Sequence, residues 1–199
     1  GGSLRNDIPR ESNAIIAIDK ISEKIFLRNK ELLIAQIKNE FLSIEPNLTI
    51  EIQEIATTEK VMELNIQENF IRAIYTSLNG VYRMSPTISG LVETSNNIAK
   101  VTVQKGLIKV KCLIRSSSES NKKDLTNSLK SAFELAGFEV ELSGEYPGWQ
   151  PNVNSKILEI VSSIYEDLHG EKAHVAACHA GLECGILGQN YPKMDMVSF

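Results

Sequence analysis

The sequence predicts an α+β fold: a mostly antiparallel sheet with helices on one face, a lid or dimerisation type of sandwich, followed by a partial α/β unit. Three observations carry this. Hydrophobic periods along residues 11–142 run strand, helix, strand, helix, strands, helix, strand. Two alternating apolar and polar runs flank Gln104-Lys105-Gly106, the pattern of an antiparallel hairpin. Residues 144–151 hold two Pro and two Gly in eight positions, which no helix or strand continues through.

Each element has its own reason. Residues 11–19 are rich in Ile and read as a strand. From residue 21 to about 42, Ile21, Ile25, Leu32, Leu33, Ile37 and Phe41 fall near one side of a helix, which Pro46-Asn47 ends. Residues 48–55 alternate, as a strand with one solvated face does. Thr58 stands where an N-cap belongs, and a second helix is expected over 59–78, ended by Asn79-Gly80. Residues 80–84 and 91–94 read as short extended pieces around a Ser85-Pro86 turn. Residues 98–103 and 107–115 form the hairpin, with Ile108, Val110, Cys112 and Ile114 on one face and Lys109, Lys111, Leu113 and Arg115 on the other. Residues 116–121 supply caps for a helix to about 136, striped by Leu125, Leu129, Ala132, Phe133 and Ala136 and closed by Gly137. Residues 138–142 read as one more strand. Beyond the break, an amphipathic helix over 154–168 closes at Gly170. Short strands are expected at 173–178 and 195–199, with a short helix or turn at 181–187 between them. That spacing suggests a parallel α/β unit cut from a second domain.

Composition narrows the function classes. The chain has 199 residues, 42% hydrophobic and 23% charged, with a formal net charge of −4. Those values exclude a disordered tail, a collagen-like repeat or a coiled coil. No basic surface advertises nucleic acid or anionic lipid, and no apolar run approaches the roughly 20 residues that span a bilayer. Cys112, Cys178 and Cys184 are three thiols that cannot all pair, so reduced cysteines in a cytoplasm are the expectation. The chain opens Gly1-Gly2-Ser3-Leu4 and closes in the apolar run Met196-Val197-Ser198-Phe199, which reads as an excised piece of a longer protein.

Two regions could carry chemistry. His174, Cys178, His179, Glu183 and Cys184 fall within eleven positions, yet without the Cys-x2-Cys or His-x3-His spacing of a zinc site. The same stretch also reads as a strand entering a turn with buried small cysteines, or as a strand end whose Gly-lined turn points Glu183 into a cleft, the last being favoured because ligands gather at strand C-terminal ends in α/β sheets. Arg115, at a strand end before Ser116-Ser117-Ser118, can clamp a carboxylate with two parallel hydrogen bonds, or be one more cation on the solvated Lys109 and Lys111 face. No Walker loop, Gly-x-Gly-x-x-Gly, Gly-x-Ser-x-Gly or His-Glu-x-x-His is present.

Six blocks carry a family resemblance. They are Leu4-Arg5-Asn6-Asp7-Ile8-Pro9-Arg10-Glu11, Gly90-Leu91-Val92-Glu93-Thr94-Ser95-Asn96-Asn97 and Cys112-Leu113-Ile114-Arg115-Ser116. Tyr146-Pro147-Gly148-Trp149-Gln150-Pro151, His179-Ala180-Gly181-Leu182-Glu183-Cys184-Gly185 and Met194-Asp195-Met196-Val197-Ser198 follow. In order and spacing they resemble the aminoacyl-histidine dipeptidase family (peptidase D, cytosolic non-specific dipeptidase), within a clan of dizinc exopeptidases. The resemblance implies a lid domain over residues 1–145 and a returning piece of the catalytic domain over 146–199. It implies a cytoplasmic parent enzyme that uses two zinc ions to hydrolyse Xaa-His and other unblocked dipeptides. The zinc ligands and catalytic carboxylates would lie outside this chain, so no catalytic or metal-binding residue and no bound zinc is expected within it.

What remains is substrate recognition. The resemblance implies that Asn6 and Arg115 project from the lid to hold the dipeptide, Arg115 on its C-terminal carboxylate. Glu183 would line the pocket and receive the α-ammonium, with His179 and Gly181 shaping the turn. A fixed cation would let the enzyme measure peptide length, since a longer peptide would leave that charge buried and unpaired. Apart from the dipeptide, the resemblance allows a homodimer; neither nucleic acid nor membrane is expected as a partner. A non-catalytic α+β interaction domain, dimerising through a free sheet edge, is the alternative from another class.

Overall fold

The computed structural model describes residues 1–56, 60–179 and 182–199. The expected N-cap at Thr58 and the site candidate Gly181 lie outside the described residues. The architecture is α+β, with two compact units: Gly1–Ser12 together with Leu64–Phe199, and Asn13–Glu63.

Among the described residues the smaller unit holds one helix, α1 (Glu23–Phe41), as the periodicity predicts. Asp19 starts it: its carboxylate accepts from the backbone N–H of Ile21 and Ser22 and from the Ser22 hydroxyl. None of its residues is buried, and the stripe Ile25, Leu32 and Leu33 stays exposed.

The larger unit is built on a three-stranded antiparallel sheet in the order β1 (Gly80–Met84), β2 (Val92–Gln104), β3 (Leu107–Ser116). The hairpin forms as predicted. Lys105 and Gly106 both take positive φ, 55° and 75°, the tight two-residue turn whose twist matches its strands. β2 is one strand of thirteen residues rather than two pieces. Its polar start misleads a sequence reading, because Thr94 and Asn96 are buried: Thr94 Oγ1 lies 2.8 Å from Ser116 Oγ, and Asn96 Nδ2 donates to Leu78 O at 2.7 Å. Between the pairs Ile98 with Cys112 and Lys100 with Lys111, Ala99 is an extra residue, a bulge. Beyond β1, the open side of β2 is bridged by the N-terminal segment, where Val101 N–H donates to Gly1 O at 3.0 Å.

α2 (Leu64–Thr76) starts later than the predicted residue 59. α3 (Glu119–Leu135) has Ser118 as its N-cap, accepting from Asn121 N–H, and buries Leu125 and Leu129 of the predicted stripe. It packs against β3 and meets α2. Phe138 joins Phe70 and Phe133 edge-on, with ring centroids 6.4 and 6.5 Å apart. α4 (Lys156–His169) begins at Ser155, whose hydroxyl accepts from Leu158 N–H, and ends at the left-handed Gly170. α5 (Glu183–Asn190) completes the unit.

The predicted break at 144–151 has no regular structure, but it is clamped. Lys122 Nζ donates to Tyr146 O at 2.6 Å and pairs with Glu119 at 2.9 Å, while Gly148 N–H donates to Glu119 Oε1 at 2.5 Å. Two glycines allow the backbones to stack here. A Cβ on Gly148 would stand 2.6 Å from Ser116 O, and one on Gly185 2.7 Å from Pro147 O. The end of β3, the 146–149 loop and the start of α5 therefore lie in direct contact.

Five expected strands, at 11–19, 48–55, 138–142, 173–178 and 195–199, are not strands. Their compositions suit a pleated, half-buried surface, but a strand exists only through ladder hydrogen bonds to a second segment, and no described residue supplies one. The α/β unit expected past the break thus has its helices without paired strands. The accessible surface is 15973 Å². Two separate compact bodies of these units' sizes would expose only about 11,000 Å².

Candidate functional site

One sheet face gathers the polar groups. Ser95 on β2 stands directly opposite Arg115 on β3, both half-buried. His179, 84 residues beyond Ser95 and just before α5, closes the group, its Nε2 lying 2.8 Å from Ser95 Oγ. Two effects hold the imidazole's pKa below its ordinary 6.5. Burial is the larger, penalising the charged ring, and the Arg115 guanidinium adds repulsion. At neutral pH His179 is therefore an uncharged ring beside a fixed cation.

Arg115 has no carboxylate within ion-pairing distance among the described residues. A half-buried guanidinium without a counter-charge is costly unless something anionic comes to it. Its planar fork, with one further donor from the Ser95 and His179 pair (the hydroxyl or the imidazole N–H, since their mutual bond uses the other), is a donor set that a carboxylate satisfies.

The other candidates surround this cluster unevenly. Asn6 is exposed, in a loop tied to the sheet by its neighbour: Asp7 O accepts from Asn97 Nδ2 at 2.7 Å. Asn97 lies two residues along β2 from Ser95, so Ser95 and Asn97 share a face. Glu183 is the first residue of α5 and is exposed, with no ion pair among the described residues. Its neighbours Cys184 and Gly185 are buried, Gly185 against the backbone of Pro147 and Gly148. The structure thus unites Arg115 with His179, while among the described residues no hydrogen bond or ion pair joins either of them to Asn6 or Glu183. Ser95 and Asn97 are the residues that sequence reasoning passed over. Ser95 was legible only as the cross-strand partner of Arg115 once the hairpin register is known.

The candidate metal cluster does not assemble. His174 and Cys178 are exposed while Cys184 is buried, and among the described residues no three His, Cys, Asp or Glu side chains converge to hold an ion. These residues do not fit a zinc site.

No family model matches the chain. It is 40% identical over 202 aligned positions to the cytosol non-specific dipeptidase of Escherichia coli K12, an alignment covering all of this chain and 41% of that protein. The crystal structure of aminoacylhistidine dipeptidase from Vibrio alginolyticus matches with a TM-score of 0.92 and 39% identity, covering all of this chain and 40% of that one. The chain spans about two fifths of the length of the relatives it matches. The resemblance read from the six sequence blocks is borne out, as is the α+β class.

Proposed function

We propose that this chain, a homologue of one stretch of the aminoacylhistidine dipeptidases, is the substrate-recognition part of a zinc-dependent dipeptidase acting on Xaa-His and other unblocked dipeptides. In this reading residues 1–145 are most of a lid domain and 146–199 part of the catalytic domain, in a cytoplasmic parent. Arg115 is the observation that carries it: a half-buried cation with no carboxylate partner among the described residues, flanked by a hydroxyl and a neutral imidazole. It would receive the dipeptide's C-terminal carboxylate. Asn6 would hold the peptide from the adjoining loop, Glu183 the α-ammonium, and His179 and Gly181 would shape the turn. The two zinc ions belong to residues outside the chain, so the chain alone should be inactive. Its surplus of exposed apolar surface supports a part that is covered in a larger body.

The test has two arms. The 199-residue chain, supplied with zinc, should bind no stoichiometric metal and leave Ala-His intact. Turnover abolished by Glu183→Ala would overturn the assignment. In the longer protein, Arg115→Ala should lose roughly 100-fold in kcat/KM for Ala-His, and with it the preference for a free over an amidated C-terminus. If the variant still rejected the amide, Arg115 would not be the carboxylate's partner.

One observation favours a second reading. β3 is an edge strand of ten residues with no partner on its outer side among the described residues, an edge on which two copies could pair. Sedimentation of the chain tests this: a dimer lost on Val110→Pro, a position whose N–H faces away from β2, would support an interaction domain, alone or within the enzyme.

A further inference from the structure

We infer that the distal half of the β2–β3 hairpin binds a multiply charged phosphate anion, of the inorganic tripolyphosphate or nucleoside triphosphate kind. Below the Ala99 bulge the rungs Lys100 with Lys111, Thr102 with Lys109 and Gln104 with Leu107 share one face, and Lys105 stands in the turn. The opposite face is apolar, with Val101 paired to Val110 and Val103 to Ile108. The four lysines, Thr102, Gln104 and Leu107 line an open surface hollow of about 440 Å³.

The charge arrangement asks for a ligand. Like charges directly across a ladder destabilise it, yet Lys100 faces Lys111. None of the four makes an ion pair among the described residues. The whole chain is acidic, at −4, so the rest of its surface carries still more negative charge. A long polyanion running beyond the hairpin would meet that charge; a short, dense one would not. Ammonium groups act as compact point charges that suit phosphate oxygens, and the Thr102 hydroxyl and Gln104 amide add donors between them. The hollow is separate from the Ser95 and Arg115 rung, with Asn97 and Leu113 between, and it stands whether or not the dipeptidase reading holds.

Calorimetric titration of the full chain with sodium tripolyphosphate and with ATP, at low salt, tests this. Both should bind; equal affinity would mean that only the phosphate chain is read, and tighter ATP that the nucleotide is the source. Lys100→Gln with Lys111→Gln should weaken binding about tenfold or more. Lys24→Gln with Lys38→Gln, the same charge change on α1, should leave it within about twofold. The first pair should also raise the unfolding midpoint by relieving the cross-strand repulsion, which separates loss of the ligand from loss of the fold. No binding of either compound below about 1 mM, equal loss in both double variants, or capture of polyglutamate but not tripolyphosphate would overturn the inference.

Discussion

Gly148→Ala probes the joint on which the candidate site depends. The new Cβ would stand 2.6 Å from Ser116 O and 2.9 Å from Ser117 O. Carbon and oxygen rest at about 3.2–3.4 Å, so the 146–149 loop must retreat by roughly 0.7 Å from the end of β3. That loop is gripped on its other side by Glu119 through Gly148 N–H and by Lys122 through Tyr146 O. Overpacking of this kind costs about 1–3 kcal/mol, and weakening a hydrogen bond to the largely buried Lys122 adds about 1 kcal/mol. Glu119 is half exposed, which discounts its share. A total near 3 kcal/mol is expected, read as a urea midpoint lowered by about 1–2 M with an unchanged slope. Gln150→Ala, at an exposed neighbour, should move the midpoint little. Gly185→Ala presses the same loop from the other side, so the double variant should fall short of the sum. A Gly148→Ala midpoint indistinguishable from that of the parent chain would refute the reasoning.

Three further outcomes are expected. His179 should titrate below 6.5 by proton resonance of its ring, and Arg115→Gln should raise its pKa only in part, because burial is the larger cause. The sign follows from the lowered folded pKa: this His adds stability above 6.5 that is lost as pH falls toward the folded value, and a pKa restored fully by Arg115→Gln would put repulsion ahead of burial. Asp195 accepts from Ile157 N–H at the start of α4, and that bond, then the Ser155 hydroxyl, holds its carboxyl below 3.8. Its contribution is present above 3.8 and lost as pH falls through the folded value, so Asp195→Asn should flatten the acid limb of a stability profile, and an unchanged limb would count against this role. Ser155→Ala should cost about 1 kcal/mol by removing the α4 cap, checked by the thermal midpoint.

Local signals carried much of the fold. The hairpin was legible because alternation and a Lys-Gly turn agree, and α3 and α4 because a serine cap, an apolar stripe and a glycine stop coincide. Residues 48–55 and 173–178 show the limit of such signals. A β pattern states that a segment can join a ladder, not that a partner is at hand. The start of β2 shows the converse: polar residues 95–97 divide the sequence reading into two extended pieces, yet the strand runs through them, with Thr94 buried against the Ser116 hydroxyl and Asn96 buried with its amide N–H on the Leu78 carbonyl. The same logic governs the site. Arg115 was visible from its own chemistry, while Ser95 and His179 meet only through the register of one strand and the course of a chain 84 residues later.

The bulge at Ala99 acts on the sheet as an inserted letter acts on a reading frame. Before it, odd-numbered residues of β2 share a face with Arg115; after it, even-numbered ones share a face with Lys111 and Lys109. One inserted residue therefore lets a single face present Ser95 and Asn97 at one end and Lys100 and Thr102 at the other. Drawing Ala99 into the ladder as an ordinary residue would turn one half of the strand over, trading Lys100 and Thr102 for Val101 and Val103, whereas deleting it would leave Lys100 and Thr102 where they are. Both polar clusters keep their common side of the sheet because the extra residue is set out of the ladder instead of being counted in it.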